Sequence, residues 1–214
     1  MKRPTIAEYK ETLRELAETR RSLMFVNQDL EKAQAVFTRD VEPSKLAHAT
    51  GVERLDLIGA DASLRGLDLL FHELDKKKRL AKLLGQLDKA YDRMLLDCPP
   101  GLTETSEQVM RAADLIVVPV IPSPLSERAL AEVEAHLGKG KVPLMPVHSM
   151  VDRRRSLHRA ALESQTGWPA IPMASTVEQM TVRRKPLGAF APNSPPAQAF
   201  STLWTQVERQ LGAR

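Results

Sequence analysis

A chain of 214 residues has room for one α/β domain of ordinary size, so we expect a single domain over residues 1–214. Hydrophobic residues make up 43% of it and charged residues 27%, a balance that excludes a disordered chain. A single cysteine excludes an intramolecular disulfide framework. We find neither a signal peptide pattern nor an apolar run long enough for a bilayer, and therefore expect a cytoplasmic protein.

Two counts bear on function. The first of the ten glycines is Gly51, so residues 1–50 cannot form a glycine-rich loop that binds phosphates through its backbone. The net charge of +4 is concentrated at the end of the chain, because residues 151–214 hold nine Lys/Arg against four Asp/Glu. This excess predicts that the last third of the chain attracts a polyanion.

Hydrophobic periodicity predicts helices and strands that alternate along the chain. The helices are expected over residues 6–24, 67–87, 105–113, 126–137, 153–165 and 197–211. The strands are expected over 55–60, 93–98, 114–121, 142–147 and 170–173, with a weaker strand pattern over 23–26. A proline-rich loop is expected over 186–196. This alternation predicts an α/β fold with a doubly wound, mostly parallel sheet flanked by helices.

Asp97 lies at the end of an apolar strand pattern and is followed by Cys98, Pro99 and Pro100. Its carboxylate is therefore expected at the carboxyl edge of the sheet, where α/β proteins bind ligands. In phosphate-handling enzymes an aspartate at this place positions Mg²⁺, usually through water. The alternative is an aspartate that hydrogen-bonds the turn after the strand. We expect Cys98 to be a small core residue.

Three motifs follow one another in the middle of the chain: Asp97-Cys98-Pro99-Pro100, Ala112-Ala113-Asp114 and Val118-Pro119-Val120. In this order they resemble the ParA/MinD family of partitioning ATPases, with the first motif as the end of the Walker B strand. The likeness continues at residues 55–60, 150–155, 171–172, 177–180, 186–187 and 203–204, and it covers residues 52–211. It implies a P-loop NTPase-like fold, incomplete at the N-terminus, where residues 1–50 are a divergent helical segment.

The resemblance implies ATP and Mg²⁺ as cofactors, with Asp97, Pro99 and, in a loose overlay, Asp29 at the nucleotide site and no direct metal ligand. The phosphate loop of the family, K-G-G-x-G-K-[ST], has no counterpart in this sequence. Phosphoryl transfer depends almost entirely on positioning and electrostatic stabilisation of the phosphates. We therefore expect ATP binding and hydrolysis to be weak or absent, in which case the protein has no cofactor.

In the family, the strand that precedes the phosphate loop is central in the sheet. Three alternatives for this position stay open: residues 23–26 fill it, a partner chain fills it, or the sequence begins downstream of the true N-terminus. Residues 6–29 could overlay the helix after the phosphate loop and the next strand, which would place Asn27 and Asp29 at the family's D-x-D element. An unrelated capping helix is the alternative.

Two basic clusters lie toward the C-terminus: Arg153, Arg154 and Arg155, and Arg183, Arg184 and Lys185. The resemblance implies that such residues bind DNA without sequence preference, and the alternative is a solvated helix face. The last helix carries an apolar stripe of Phe200, Leu203, Trp204, Val207 and Leu211. Its polar face is poor in cations, which favours core packing over membrane binding.

The resemblance implies a protein that partitions chromosomes or plasmids, or positions other cargo, with a degenerate nucleotide site. Its implied partners are a second copy or another ParA-like chain, a ParB-like adaptor, and DNA to which it binds on the nucleoid. One alternative is a pseudo-ATPase module that regulates a true ParA-like partner. The other is an active ATPase whose N-terminus is truncated.

Overall fold

The computed structural model describes residues 22–27, 43–60, 79–98, 101–138 and 142–212. Its contacts divide the chain into two compact units, a first unit Met1–Ala113 and a second unit Asp114–Arg214. The predicted α/β class with parallel strands and flanking helices is confirmed. The single-domain organisation stays a prediction, and each unit is described by itself.

The first unit holds a four-stranded sheet in the order β2-β3-β1-β4. Strand β1 is parallel to both β3 and β4, and the short β2 is antiparallel to β3. The elements are β1 (Ser22–Asn27), a 3₁₀ turn (Pro43–Leu46), β2 (His48–Ala49), β3 (Leu55–Ala60), α1 (Arg79–Leu87), β4 (Arg93–Leu96) and α2 (Glu104–Ala112). The weak strand pattern over 23–26 is therefore a real strand, and it lies in the interior of this sheet.

The core of the first unit forms where α1 covers the sheet. Leu80, Leu84 and Leu87 recur at helical spacing and all three are buried. Leu87 packs in one cluster with Ile58 of β3 and Tyr91, which lies just before β4. Because this cluster joins β3 to the start of β4, burial of α1 helps to hold the two strands on either side of β1.

Helix α2 begins with a well-defined cap. The Thr103 hydroxyl accepts a hydrogen bond from the Ser106 backbone N–H, and the Ser106 hydroxyl accepts one from the Thr103 N–H. This reciprocal pair is a capping box. Gly101, two residues earlier, has φ of 109°, a conformation that favours glycine and turns the chain from β4 into the helix.

The second unit holds a three-stranded parallel sheet in the order β5-β6-β7. The pairing of β6 with β7 is irregular between His148 and Val151. The elements are β5 (Ile116–Val120), α3 (Pro124–Leu137), β6 (Leu144–Val151), α4 (Ser156–Ser164), β7 (Ala170–Pro172), α5 (Ser175–Arg183), α6 (Leu187–Phe190) and α7 (Pro195–Gly212).

The last helix, α7, packs on the second sheet. Val207 is buried in one cluster with Met145, Val147 and Ile171, and three further residues of the predicted stripe pack against it, namely Leu203, Trp204 and Leu211. The predicted core role of this stripe is confirmed for these residues, whereas Phe200 is exposed. In the described part of the chain, no helix combines the length and the apolar character needed to cross a membrane.

Some predicted elements differ from the structure. Strand β6 extends to Val151, well beyond the predicted 142–147. Proline has no backbone N–H to donate to a neighbouring strand. Pro146 is tolerated in β6 because the pairing with β7 begins only at His148, so no residue of β7 lies opposite Pro146. Helix α5 was not predicted, and the short α6 lies inside the predicted proline-rich loop. The predicted helix over 6–24, apart from the part that forms β1, and the segment 67–78 fall outside the described residues.

Candidate functional sites at the carboxyl ends of the strands

The three parallel strands of the first unit end at one edge of their sheet. Asn27 at the end of β1 is in register with Ala60 at the end of β3, and Phe25 is in register with Leu96 at the end of β4. Asp97 follows directly after β4 and its residue is exposed. The predicted position of Asp97 at the carboxyl edge is therefore confirmed. Pro99 and Asp29, predicted for the same site, lie outside the described residues.

The expectation for Cys98 is wrong. Strand β4 ends at Leu96, two residues before the cysteine, so Cys98 lies in the connection after the strand and is exposed. Its Sγ lies 3.8 Å from the Leu96 carbonyl oxygen. Partial desolvation and, second, the negative charge of Asp97 raise the pKa of the thiol, so the thiolate is disfavoured beside this carboxylate.

A Mg²⁺-nucleotide would need both a carboxylate and a phosphate cradle at this edge. Asp97 meets the first requirement, as an exposed carboxylate at the end of a parallel strand. The second requirement is not met by a glycine-rich loop, because the sequence K-G-G-x-G-K-[ST] does not occur in the chain. The chain therefore offers a carboxylate for Mg²⁺ at this edge without the phosphate loop of the family.

In the second unit, β6 ends in a tight turn of residues 152–155, which we call the basic turn. The Asp152 carboxylate accepts hydrogen bonds from the Arg154 guanidinium at 2.9 and 2.8 Å, and from the Arg154 backbone N–H at 3.0 Å. These contacts, the side-chain ones first, lower the pKa of Asp152 to about 2. Arg154 is thus paired with a carboxylate, which weakens its predicted role in binding phosphates.

Helix α4 holds the basic turn from the other side. Asp152 donates its backbone N–H to Nδ1 of His158 at 3.0 Å. Arg159 donates from Nη1 to the carbonyl oxygens of Arg153 and Arg154, both at 3.1 Å. The backbone of the turn is therefore fixed by two consecutive side chains of α4, while the Arg153 and Arg155 residues are exposed.

The arginines of the basic turn lie beside the N-terminus of α4, a position that is electrostatically unfavourable for cations. Arg155 is the N-cap residue of α4, its side chain makes no capping hydrogen bond, and the first turn of the helix contains no acidic residue. A helix N-terminus carries a partial positive charge that favours anions, so cations gathered there repel it. Two exposed cations beside a helix N-terminus form a positive surface that would favour an anion.

The second basic cluster has a structural explanation. Arg183 lies in the last turn of α5, where the helix dipole favours a cation, and its Nε donates to Oε1 of Gln179 at 3.2 Å. Its guanidinium also lies 4.9 Å from the centre of the Phe190 ring. Arg184 ends the helix in the left-handed conformation with φ of 49°, and Lys185 is exposed. All three residues are exposed, and Arg183 is the one held by these contacts within the second unit.

A pair of buried histidines lies behind the basic turn, and no pattern in the sequence points to it. His148 on β6 and His158 on α4 are 1% and 2% exposed. Both ring nitrogens of His148 and Nε2 of His158 have no hydrogen-bond partner among the described residues. The His148 ring centre lies 4.9 Å from that of Trp168. Burial, and to a smaller degree His158, lower the pKa of His148, while Glu127 opposes them.

Comparison with known proteins agrees with the family that the sequence motifs suggest. The AAA_31 family model, described as an AAA domain, matches residues 14–139. The sporulation initiation inhibitor protein Soj of Bacillus subtilis is 25% identical over 187 residues, which are 80% of this chain and 74% of Soj. The chain belongs to the ParA/MinD family of P-loop ATPases. The resemblance predicted from the motifs after Asp97 is thereby confirmed.

Solved structures of ParA/MinD proteins share the fold. A plasmid partition protein of Borrelia burgdorferi bound to AMPPNP matches with a TM-score of 0.76 at 13% identity, over 97% of this chain and 96% of that one. The septum site-determining protein MinD of Pyrococcus horikoshii, complexed with Mg-ADP, matches with a TM-score of 0.71 at 19% identity, over 92% and 88% of the two chains. The P-loop NTPase-like fold predicted for this chain is confirmed.

Proposed function

We propose that this chain is a ParA-like partitioning or cargo-positioning protein with a degenerate nucleotide site, and that it binds DNA without sequence preference through the second unit. The observation that carries the proposal is the basic turn. Arg153 and Arg155 are exposed beside a helix N-terminus that has no acidic residue in its first turn. Phosphate groups would relieve the repulsion there and would accept hydrogen bonds from both guanidinium groups.

Family membership supports partitioning or positioning, because the relatives include Soj and solved plasmid partition and MinD proteins. Two of these solved structures hold AMPPNP or Mg-ADP, so a nucleotide with Mg²⁺ is the ligand class that the family suggests. Among the described residues Asp97 would serve such a ligand, by positioning Mg²⁺ through water. The sequence contains no K-G-G-x-G-K-[ST] loop to hold its phosphates, and on this ground we propose a degenerate site.

DNA binding is tested with the full chain and a fluorescent duplex of arbitrary sequence. We expect R153A/R155A to bind more weakly than wild type at every salt concentration. Each lost phosphate contact lowers the slope of log K against log salt by about 0.9, so the variant should lose about 1.8 units of slope. The matched control is R209A, which removes an exposed cation from the last turn of α7. Equal slopes for R153A/R155A and wild type would refute the basic-turn assignment.

The same DNA titration tests whether one or both of the basic clusters contact DNA. R184A/K185A removes two exposed cations of the second cluster, the same number of positive charges that R153A/R155A removes. If only the basic turn contacts phosphates, this variant keeps the wild-type slope and affinity, whereas R153A/R155A does not. A slope reduced by both pairs would extend the DNA-binding surface to α5.

The nucleotide claim is tested by isothermal titration with Mg-ATP. We expect no measurable heat at micromolar protein concentrations, because the interactions that position the phosphates are missing. A dissociation constant in the micromolar range would contradict the degenerate site and favour an active ATPase. Asp97→Asn is the matched variant, since it removes the charge that Mg²⁺ requires while it preserves the size of the side chain.

A second function is favoured by the same lack of a phosphate loop: a pseudo-ATPase module that pairs with a true ParA-like chain or a ParB-like adaptor. In that case the nucleotide is bound and hydrolysed by the partner. Asp97→Ala would then leave partition of a reporter plasmid intact in cells, whereas a protein that hydrolyses ATP itself would lose it. Size-exclusion chromatography with light scattering, with and without Mg-ATP, tests whether the chain forms a homodimer.

A further inference from the structure

His158 on α4 contacts the basic turn directly, and what we infer from this contact rests on the proposed DNA binding. The residue is 2% exposed and accepts the Asp152 backbone N–H at Nδ1 over 3.0 Å. A nitrogen that accepts a hydrogen bond carries no proton, so Nδ1 of His158 is unprotonated in this arrangement. The contact is therefore sensitive to protonation of the ring.

The contact holds the first residue of the basic turn. Asp152 in turn holds the rest, because its carbonyl accepts the Arg155 N–H at 3.1 Å and its carboxylate accepts the Arg154 N–H and guanidinium. Arg159, the next residue of α4, binds the carbonyl oxygens of Arg153 and Arg154. The direction in which Arg153 and Arg155 project therefore depends on how Asp152 is anchored to His158.

We propose that His158 is a positioning residue for the basic turn, and that its protonation releases Asp152 and weakens the binding of DNA. A proton on Nδ1 would face the Asp152 N–H, so two donors would meet where one acceptor is needed. The turn would then have to move. Acidification would lower DNA affinity, although it adds positive charge to the protein.

Two carboxylates, Asp152 and Glu127, act on the buried pair His148 and His158. The Asp152 carboxylate, whose pKa His158 helps to lower, is already bound to Arg154. The pKa of His148 on β6 is lowered by burial, is raised by Glu127 on α3 and is lowered by His158. Because His158 is buried and its Nε2 has no partner among the described residues, the charged ring would lack solvation. Protonation therefore favours an opened turn, in which the ring gains access to water.

The sign of this pH dependence makes it diagnostic. DNA binding through phosphates ordinarily strengthens as the pH falls, because histidines elsewhere on the protein gain positive charge. Affinity that weakens between pH 7.5 and 5.5 requires a group whose protonation disturbs the site. In the described part of the basic turn and its anchors, His158 is the histidine that contacts the backbone of the turn.

Two substitutions of His158 distinguish the effect of its hydrogen-bond acceptor from the effect of its ring volume. The first is His158→Asn, whose Oδ1 can accept the Asp152 N–H in place of Nδ1 but does not titrate. The second is His158→Phe, which fills a similar volume without an acceptor. His136→Asn serves as the matched control, since this histidine is exposed on α3.

The experiment measures DNA affinity of the full-length variants at pH 7.5 and 5.5 by fluorescence anisotropy. For wild type we expect weaker binding at pH 5.5, and for H158N unchanged or stronger binding. H158F should bind about tenfold more weakly at pH 7.5, the loss expected for one hydrogen bond, and should not weaken further on acidification. H136N should behave as wild type. Wild-type affinity that rises on acidification as in H158N, or H158F affinity equal to wild type, would overturn the proposal.

A second measurement needs no DNA and separates this inference from the proposed function. Hydrogen exchange of the Asp152 amide, followed by NMR, should be slow in wild type and H158N and fast in H158F. Equal exchange in all three would refute the positioning role, even if DNA binds. If wild type does not bind DNA at all, the proposed function and the pH effect on it fail, and slow exchange lost in H158F would still support the positioning role.

Discussion

Tyr91 donates its phenolic hydrogen to Oδ2 of Asp56 over 2.8 Å, in the buried core of the first unit. The bond joins a residue just before β4 to the second residue of β3. These two strands lie on opposite sides of β1 and do not pair with each other. The contact therefore cross-links two strands that share no backbone hydrogen bonds with each other.

Removal of this hydroxyl should destabilise the first unit. For Tyr91→Phe we expect a decrease of about 1–3 kcal/mol in the free energy of unfolding, because a hydrogen bond to a buried carboxylate is lost while the ring remains. Urea denaturation followed by circular dichroism measures it. Asp92→Asn is the control: its pair with Arg54, at 3.9 Å, lies between partly exposed side chains and should contribute less than about 1 kcal/mol. Equal losses in both variants would contradict the cross-link.

The core of the first unit depends on Leu87, which is 2% exposed and packs against Ile58 and Tyr91. Leu87→Ala should lower the free energy of unfolding by about 2–5 kcal/mol, since it removes buried methyl groups and leaves a cavity. Leu125→Ala is a matched control on α3, because that leucine is 76% exposed and should cost less than about 0.5 kcal/mol. Similar melting temperatures for the two variants would contradict the assigned core.

The Asp152–Arg154 pair sets the titration of one carboxyl group. We expect an Asp152 pKa of about 2 in wild type, measured by NMR of the side-chain carbon. Arg154→Gln should raise this pKa, only part of the way to the ordinary value of 3.8 because the backbone N–H of residue 154 still donates to the carboxylate. Since the folded-state pKa is depressed, any stability from the pair is present above pH 3.8 and is lost as the pH falls toward 2. An unchanged pKa in the variant would show that Arg154 is not the cause.

Burial of His148 should make the second unit sensitive to acid. Its pKa is lowered in the folded state from 6.5, mainly by burial, so the unfolded chain binds the proton more readily near that pH. The free energy of unfolding is then highest above pH 6.5 and falls as the pH drops below it. His148→Leu should flatten this dependence between about pH 7.5 and 5.5, whereas the exposed His136→Leu should not. Trp168, whose ring lies beside His148, provides a fluorescence probe in a Trp204→Phe background. Parallel pH profiles for wild type and H148L would refute the prediction.

Much of the fold could be predicted because its signals are local. The apolar runs over β3 and β5, the helical spacing in α1 and α7, and Gly138 at the end of α3 each depend on neighbouring residues only. The family could be recognised for the same reason, since its motifs are short and follow one another in order. Helix α5 could not be predicted in this way, because none of its residues is buried and its apolar face is correspondingly weak.

The candidate sites were predictable only in part. Asp97 could be placed at a sheet edge, because a residue after a parallel strand must lie there. The two basic clusters could be found by their charge but could not be told apart. One lies at a helix N-terminus and the other at a helix C-terminus. The helix dipole favours anions at the first position and cations at the second. Arg154 and Arg155 are adjacent and identical in type, yet the first is paired with Asp152 and the second is the exposed N-cap residue of α4.

By itself, the sequence determined the α/β class, the family, the edge position of Asp97 and the lack of a glycine-rich loop in residues 1–50. These follow from periodicity, composition and motifs, which are properties of the chain read in order. Only the tertiary structure decided that Cys98 is exposed, that Tyr91 cross-links to Asp56 and that His158 anchors the basic turn. Each of these depends on atoms brought together by folding, where burial and hydrogen-bond geometry decide what a side chain can do.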